Sequence, residues 1–475
     1  MISLTLLHTN DLHGRLLQVK RVATLVERIR GEVNASGGTC LYFDAGDCED
    51  TTLLESALTK GSAMDAILHG AGCDEVALGN AIPIRYGPQA IQNLSQSFGK
   101  PILCANLIHN DGSRPAGLAP YALRDAGSLK IGVIGLTAVM DIYSIYSATS
   151  HLPEKIVPAL IEEIRGEGAS LVIILSHLGL RADRKLAEAV PGIGVIIGGH
   201  SHDRVCPPEI VNDVLIAQAG EHGQVLGRLD LLIDPHSGSI VEHHAELIPV
   251  GEDVPEDDQV QRAIDEEQAR TQRMMQEKIG VIQVPLVASE VEECSAGNLL
   301  ADALLDYFSD AEVGFVLGQH WETGLDAGTI TQGGLYAANR STGNPARVEL
   351  CGEQIMTFLR EALKPENIAQ TRKPWRGHKA GMPHVAGMHV SVNLDNPKEM
   401  EIQVNGSKVG PEDRLIVATS DLELSKNLRY LPIPDEEIVF DVSVILPEVV
   451  ERYIRRHTPI HEIANSRIEF RSFQK

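Results

Sequence analysis

Seven side chains that can bind metal ions follow predicted β-strands in the first half of the chain, each within a few residues of a strand's end. They are Asp11, His13, Asp47, Asn80, His177, His200 and His202. In α/β sheets, loops from separate strands converge at the carboxyl ends of the strands, and ligands bind there. We therefore expect these side chains to form one shared site.

The types of these side chains narrow the chemistry of the site. Imidazole, carboxylate and amide oxygen without a thiolate suit Mn, Fe, Zn or Co. The set is too large for one ion. Two ions about 3.5–4 Å apart, bridged by one carboxylate and a solvent hydroxide, would use it fully, and that hydroxide could attack phosphorus in line. We predict Asp47 as the bridging carboxylate, because it ends the tight turn Asp-Ala-Gly-Asp, where Gly46 lets the backbone approach the ions.

Each residue alone also has an ordinary structural interpretation. An Asp or Asn just after a strand, such as Asp11 or Asn80, is typical of a turn or a helix cap, and a single histidine such as His177 is typical of a hydrogen-bonded structural residue. The combination favours the metal site, because Asp-x-His, Gly-Asp, Gly-Asn, Ser-His and Gly-His-x-His occur in this order, each at a strand end.

The elements that must position these residues divide the chain into three segments. Residues 1–250 alternate β-branched runs with helical patterns, which predicts a layered α/β domain. Residues 251–281 are polar and helix-prone and predict a bridging helix. Residues 282–475 combine helical and β-like runs and predict a smaller α+β domain. The strands predicted in the first domain are 4–8, 41–43, 75–78, 102–104, 131–134, 171–175, 195–197 and 214–217.

Composition and charge exclude several classes of function. The 41 Lys and Arg against 65 Asp and Glu give a net charge of −24, so the average surface repels nucleic acid and acidic lipids. No apolar run is long enough for a membrane span. The odd number of scattered cysteines and the absence of a basic leader pattern at the N-terminus lead us to expect reduced thiols and a cytoplasmic protein.

Five segments that carry the metal-capable residues resemble the signatures of one family. They include His-Thr-Asn-Asp-Leu-His-Gly at 8–14 and Gly-Gly-His-Ser-His at 198–202, and the others are 44–47, 79–80 and 176–179. They resemble the calcineurin-like metallophosphoesterases, specifically the bacterial 5′-nucleotidase and UDP-sugar hydrolase family. The resemblance continues into the second domain at 295–304, 328–331, 404–406 and 417–421, so it covers essentially the whole chain.

The resemblance implies a fold, an activity and a ligand assignment. The fold would be a four-layer αββα catalytic domain followed by a 5′-nucleotidase-like C-terminal domain. The activity would be hydrolysis of a small phosphorylated substrate, as in nucleotide catabolism, with two divalent ions, commonly Mn, Zn or Co. Asp11, His13, Asp47 and His202 would hold one ion, and Asp47, Asn80, His177 and His200 the other.

The sequence departs from the family at a pair of catalytic positions. Ala81 and Ile84 stand where the family has the His and Asp of Gly-Asn-His-Glu-Phe-Asp. Loss of one such charge-stabilising donor costs roughly 10²–10³ in turnover, so we expect a slower hydrolase in which Asn80 and His177 act on the substrate and Arg85 stabilises the phosphoryl oxygens. The alternatives are a phosphodiesterase or pyrophosphatase on the same site, or a catalytically silent metal-binding sensor or interaction protein.

The second domain departs from the family in its substrate-binding residues. Glu322 replaces the arginine of the family's Asn-Gly-Gly-Gly-Ile-Arg, Met382 replaces the Phe of Phe-Pro, and residues 426–430 replace Gly-Gly-Asp-Gly-aromatic. We therefore do not expect a nucleotide preference. The candidate substrate-binding residues are Arg340, His320, Trp321, Met382 and Tyr430. No Gly-x-Ser-x-Gly segment occurs, so the sequence does not predict a serine nucleophile.

Overall fold

The computed structural model of the protein describes residues 1–50, 53–369, 380–393, 396, 399–424, 430–434 and 437–471. The chain forms two compact units, unit 1 (Met1–Thr271) and unit 2 (Gln272–Lys475). The division between them falls inside the helix Asp258–Gln276. Within the described ranges, every helix is too short or too polar to cross a membrane.

Unit 1 contains two mixed β-sheets. The first has the strand order Ile240–Pro249, Val225–Ile233, Ile2–Thr9, Thr39–Asp44, Glu75–Val76. The second has the order Arg204–Val211, Val214–Ala219, Val195–Gly198, Leu171–His177, Leu129–Thr137, Tyr121–Ala126. Ile2–Thr9, Thr39–Asp44 and Glu75–Val76 run parallel in the first sheet, as do the four inner strands of the second.

Apolar residues fill the space between the two sheets and outside them. Leu4, Leu6 and Phe43 of the first sheet share one buried cluster with Val133 and Ile173 of the second. The helices Pro153–Gly166 and Leu180–Ala189 pack in another cluster, on the other face of the second sheet, and the helix Leu16–Ala35 contacts the strand Thr39–Asp44. Because fully burying a large aliphatic side chain stabilises by about 1.5–3 kcal/mol, these clusters hold the four-layer arrangement that the family resemblance implies.

Shorter elements complete unit 1. The remaining helices are Leu54–Leu58, Ser62–Gly70, Ala81–Tyr86 and Ile91–Phe98, with 3₁₀ turns at Pro88–Ala90 and Asp141–Tyr146. The remaining strands are Ile102–Leu103, Leu107–His109, Leu118–Ala119 and Ala148–Ser150.

Unit 2 is built on a five-stranded sheet with helices on both faces. Its strand order is Pro383–Ala386, Val313–Leu317, Arg414–Ser420, Pro345–Cys351, Ile438–Phe440. The helix Gly352–Ala362 packs in one apolar cluster, while Ser295–Tyr307 and Leu446–His457 pack in the other. The other helices are Gln332–Ala338 and Pro365–Ile368, with a 3₁₀ turn at Gly318–His320, and the other strands are Lys278–Ile282, Gly328–Thr331, Met388–Asn393, Met400–Val404, Ser407–Lys408 and Ile468–Arg471.

The predicted fold class is confirmed, and every strand predicted in unit 1 is present. Sequence analysis missed the pair Val225–Ile233 and Ile240–Pro249, which extends the first sheet by antiparallel pairing. Ile240–Pro249 is an edge strand in which the polar residues Glu242, His243, His244 and Glu246 interrupt the apolar ones, so it lacks the continuous apolar run by which the inner strands are identified.

Candidate metal centre

The loops that follow the parallel strands of unit 1 carry all seven predicted metal-capable residues. Asp11 and His13 follow Ile2–Thr9, Asp47 follows Thr39–Asp44, and Asn80 follows Glu75–Val76. His177 ends Leu171–His177, while His200 and His202 follow Val195–Gly198. Contacts between these loops, described below, bring the side chains of both sheets together.

The backbone at this site is strained in an unusual way. Five of the seven residues have the positive φ that side chains other than glycine rarely adopt: Asp11 (50°), His13 (44°), Asp47 (55°), His200 (72°) and His202 (59°). Two of the loops are also joined directly, because Asp11 N–H donates to Gly46 O at 2.9 Å and His13 N–H donates to Asp47 O at 3.1 Å. Strain of this kind persists only where surrounding structure holds it, and it concentrates at functional sites.

Asp11 lies at the centre of the group. Its Oδ1 is 3.2 Å from His202 Nε2, 3.7 Å from His13 Nε2 and 4.0 Å from His177 Nε2. This oxygen is buried and accepts no hydrogen bond from any described residue, whereas Oδ2 accepts from His200 N–H at 2.8 Å. A cation bound beside this oxygen and the three imidazoles would satisfy it. Without a cation, the buried oxygen has no partner, which is unfavourable.

Asp47 and His177 form the second half of the group. Asp47 Oδ2 is 3.2 Å from His177 Nε2, and Asp47 Oδ1 accepts from Ala81 N–H at 2.9 Å. Burial opposes a charge on His177, but the attraction of Asp47 outweighs it and raises the pKa of His177 to about 9. Burial also opposes a charge on Asp47, yet His177 lowers the pKa of Asp47 to about 2.

Hydrogen bonds orient the His177 ring for ligation. Nδ1 lies 2.7 Å from Ala45 O, and because a carbonyl only accepts, Nδ1 carries the proton in that bond. Nε2 therefore faces Asp47 and the amide oxygen of Asn80, which is 3.2 Å away. A backbone carbonyl behind a ligating imidazole is the usual device that fixes its tautomer.

His200 lies beside His177, with ring centroids 5.2 Å apart. Burial and the neighbouring His177 lower the pKa of His200, which favours the neutral ring that binds metal. Asp11, His13 and His202 place their ligand atoms within 4.8 Å of one another, and so do Asp11, Asp47 and His177. The two groups thus share Asp11.

Two glycines make room for these side chains. A Cβ on Gly79 would lie 2.0 Å from Asp47 Oδ1, and a Cβ on Gly46 would lie 2.9 Å from His177 Nδ1. The sequence predicted that Gly46 lets the backbone approach the ions; in the structure, the space it leaves is occupied by the His177 ring and the Gly79 backbone.

Sequence analysis missed two residues beside this group. Glu221 Oε2 lies 2.7 Å from His202 Nδ1, and the His222 ring lies 5.9 Å from that of His13. Both follow the strand Val214–Ala219, which runs parallel to its neighbour Val195–Gly198. The search for metal-capable residues after parallel strands would have found them if it had included this last predicted strand.

A separate buried group of Cys48, Glu49 and Asp65 adjoins Asp47 in sequence. Burial, followed by the charge of Asp47, raises the pKa of Glu49 to about 8, and burial together with Glu49 raises that of Asp65 well above its ordinary value. Both shifts favour the neutral form of these carboxyls. Burial likewise raises the pKa of the Cys48 thiol, which favours its neutral form and suits a small packing residue.

The positions of the missing dyad lie in the short helix Ala81–Tyr86, which begins directly after Asn80. Ala81 and Ile84 are half-buried, and Tyr146 Oη donates to Ile84 O. Arg85 is in the last turn of this helix and is also half-buried.

The candidate substrate-binding residues of unit 2 are spread over different surroundings. Met382 and Tyr430 belong to one apolar cluster, and Trp321 belongs to the other. His320 is buried between Ser341 and Glu423, and Arg340 is exposed. Residues 426–429, which precede Tyr430 in the altered stacking segment, lie outside the described residues. Because Met382 has no ring, Met382 and Tyr430 cannot form the pair of rings that would clamp a base.

Comparison with known proteins agrees with this architecture. Residues 278–430 match the family model of the 5′-nucleotidase C-terminal domain. The chain is 27% identical over 433 residues to the uncharacterized metallophosphoesterase YunD of Bacillus subtilis, which covers 88% of this chain and 92% of YunD.

Two further proteins extend the comparison. The chain is 27% identical over 348 residues to the 5′-nucleotidase of Bos taurus, covering 64% of this chain and 60% of the bovine protein. The solved structure of Haemophilus influenzae NAD nucleotidase aligns over the full length of both chains with a TM-score of 0.61 at 17% identity, which shows a shared fold. These matches show that residues 278–430 are similar to the 5′-nucleotidase C-terminal domain and that the chain is similar to proteins named metallophosphoesterase and 5′-nucleotidase.

Proposed function

We propose that the protein is a metal-dependent phosphohydrolase that acts on small phosphate esters with two divalent ions. One observation carries the proposal: Asp11 Oδ1, buried and without a hydrogen-bond donor among the described residues, faces the Nε2 atoms of His13, His177 and His202. The relatives named metallophosphoesterase and 5′-nucleotidase support the same activity.

The donor set indicates which ions the site would take. We assign Asp11, His13, Asp47 and His202 to one ion, and Asp47, Asn80, His177 and His200 to the other. Imidazole, carboxylate and amide oxygen without a thiolate suit Mn, Zn, Co or Fe. When bound, such ions activate water for attack on phosphorus and neutralise the charge that develops there.

The protein's own contribution is to hold the ligands rigidly in place. Ala45 O fixes the His177 ring, Ala81 N–H holds one oxygen of Asp47, and Glu221 lies behind His202. Because these groups are already oriented, little reorganisation is required when a substrate binds.

The region of the missing dyad suggests a hydrolase of reduced turnover. The side chains of Ala81 and Ile84 cannot donate a hydrogen bond or a proton to the leaving oxygen, so we assign protonation of that oxygen to solvent. Arg85 follows one helical turn after Ala81, and a guanidinium can stabilise phosphoryl oxygens electrostatically without acting as an acid.

We assign substrate selection to unit 2 and catalysis to unit 1. Met382 and Tyr430 are buried in an apolar core, and Glu322 stands at the position of the family's phosphate-binding arginine. Arg340 is exposed and is the candidate to bind an anion. We therefore propose a small phosphate monoester rather than a nucleotide as the preferred substrate, and residues 251–281 as the connection between the catalytic and substrate domains. We also propose a cytoplasmic location, since all the cysteines are unpaired.

The test is to measure metal content and turnover on the same purified protein. We expect two equivalents of divalent metal, turnover of aryl phosphate monoesters, and slower turnover of AMP than of the best ester in a broad panel. Faster turnover of aryl diesters or pyrophosphate would favour the alternative hydrolases. Full metal content without turnover of any ester would favour a silent metal-binding protein.

A further inference from the structure

A hydrogen-bonded Ser, His and Glu lie together inside unit 2. Ser341 Oγ is 2.8 Å from His320 Nδ1, and His320 Nε2 is 2.9 Å from Glu423 Oε1. His320 ends the turn after the strand Val313–Leu317. Ser341 lies in the loop before the strand Pro345–Cys351, and Glu423 follows the strand Arg414–Ser420. The carboxyl ends of two adjacent parallel strands thus position His320 and Glu423.

The surroundings of Glu423 fix the protonation of this chain of groups. The carboxylate is 2% exposed, and it accepts from Leu317 N–H at 3.2 Å, from Gln319 Nε2 at 3.3 Å and from the Ser420 hydroxyl. These backbone and side-chain donors favour the ionised carboxylate, which is an acceptor only.

An ionised carboxylate can only accept, so the proton of the His320–Glu423 hydrogen bond lies on His320 Nε2. In the neutral ring, Nδ1 then has a free electron pair and accepts from the Ser341 hydroxyl. This is the arrangement in which an imidazole acts as general base toward a serine, with a carboxylate that holds the ring in the required tautomer.

We propose that Ser341 is a nucleophile activated by His320, and that it forms a second reactive centre, independent of the metal site, which takes carboxylic esters. Ser341 Oγ bonds to the ester carbonyl carbon while its proton passes to His320 Nδ1. The bond from that carbon to the alcohol oxygen breaks, and the alcohol oxygen takes the proton from His320. Water then adds to the acyl carbon while one of its protons passes to His320 Nδ1. The bond from that carbon to Ser341 Oγ breaks, Oγ takes the proton back, and the acid is released.

The burial of the three residues agrees with these roles. His320 and Glu423 are enclosed, whereas Ser341 is half-buried, so the serine is the member of the group that solvent reaches. Arg340 is exposed next to it, which favours an ester that carries an anionic group. The sequence search missed this centre because the segment is Asn-Arg-Ser-Thr-Gly, with Asn339 in place of the first glycine of the Gly-x-Ser-x-Gly pattern, and because its partners are far apart in sequence.

The direct test uses a fluorophosphonate probe on the full-length protein, followed by intact mass and peptide mapping. We expect one covalent adduct, on Ser341: the serine oxygen bonds to phosphorus, fluoride leaves, and the hydroxyl proton passes to His320. Ser341→Ala should abolish the adduct. Ser443 is the matched control, since it is also a serine hydrogen-bonded to a carboxylate, Asp441, at 2.6 Å. Ser443→Ala should keep the adduct on Ser341. An unlabelled wild-type protein, or labelling that survives Ser341→Ala, would overturn the proposal.

A second set of variants separates activation from structural support. His320→Ala should slow labelling about a hundredfold, and added imidazole should restore part of the rate. Glu423 acts through His320 and is a positioning residue, so Glu423→Asp, which keeps the charge, should label faster than the closer isostere Glu423→Gln. If Glu423→Gln is labelled as fast as Glu423→Asp, or if imidazole has no effect on the labelling of folded His320→Ala, the activation of Ser341 by His320 and Glu423 is refuted.

Discussion

Glu221 Oε2 lies 2.7 Å from His202 Nδ1, on the side of the ring opposite the 3.2 Å contact between His202 Nε2 and Asp11. The imidazole is thus held between two carboxylates, one inside the metal centre and one behind it. This arrangement orients a ligating histidine and increases its basicity.

Replacing Glu221 should therefore weaken metal binding without removing a ligand. Glu221→Gln should lower the affinity for a divalent ion by about 10–100-fold, as measured by competition with a chelator of known affinity. Glu242→Gln is the matched control, since Glu242 is exposed on an edge strand of the same unit. Unchanged affinity in Glu221→Gln would mean that Glu221 does not support His202.

The room that Gly79 leaves for Asp47 gives a second prediction. A Cβ at position 79 would lie 2.0 Å from Asp47 Oδ1 and 2.3 Å from Asp47 N, so Gly79→Ala must displace Asp47. We expect loss of bound metal and a decrease of about 1–3 kcal/mol in the free energy of unfolding. Gly166→Ala, at a helix residue with no neighbour within 4 Å, should keep the bound metal and should not lower the free energy of unfolding. A Gly79→Ala protein with full metal content would contradict the placement of Asp47.

The helix that carries the missing dyad can be tested in both directions. Arg85→Ala should lower phosphomonoester turnover and leave metal content unchanged, because Arg85 is not assigned as a ligand. Ala81→His combined with Ile84→Asp should raise turnover, by up to about 10². Arg28→Ala, on the exposed surface of another helix, is the control. Should Arg85→Ala be kinetically silent on a good substrate, the electrostatic role of Arg85 is excluded.

His8 predicts a pH dependence of stability. Its ring packs against Gly227, its partner on the neighbouring strand, and burial lowers its pKa from 6.5 to about 4. Between these values the unfolded chain binds a proton that the folded protein does not, so the His8 contribution to stability is full above pH 6.5 and falls as the pH decreases toward 4.

The effect should reach about 3 kcal/mol at pH 4. Urea unfolding in the presence of a chelator measures it without the contribution of metal release. His8→Phe keeps the ring but does not titrate, so its free energy of unfolding should depend less on pH in this range than that of the wild type. His236→Phe, at an exposed position, should follow the wild type; identical slopes for His8→Phe and the wild type would refute the assignment.

The sequence was sufficient to predict the fold class and the loops that carry the seven metal-capable residues, because both depend on local patterns. The seven residues lie at or shortly after the ends of predicted strands, and parallel pairing brings those strand ends together within each sheet. The turn Asp-Ala-Gly-Asp predicted Asp47 as the shared ligand, and the family resemblance implied the same assignment. In the structure, the two groups of ligand atoms share Asp11.

What could not be predicted depends on tertiary contacts. Glu221 follows a predicted strand and could have been singled out, but its contact with His202 is a tertiary one that local pattern does not describe. His320 was a candidate substrate ligand, but its two ring nitrogens contact Ser341 and Glu423, which are 21 and 103 residues further along the chain. Met382 and Tyr430 were candidates from aligned motifs, and their burial in an apolar cluster follows from packing that no motif describes.

The most direct test of the proposed metal centre is the metal content of Asp47→Asn, measured by elemental analysis alongside phosphomonoester turnover. A carboxylate shared by two ions has no substitute, so we predict that Asp47→Asn loses both equivalents of metal and all hydrolysis, whereas His202→Ala loses one equivalent. An Asp47→Asn protein that retains two equivalents of metal and the turnover of the wild type would contradict a dinuclear phosphohydrolase centred on Asp47.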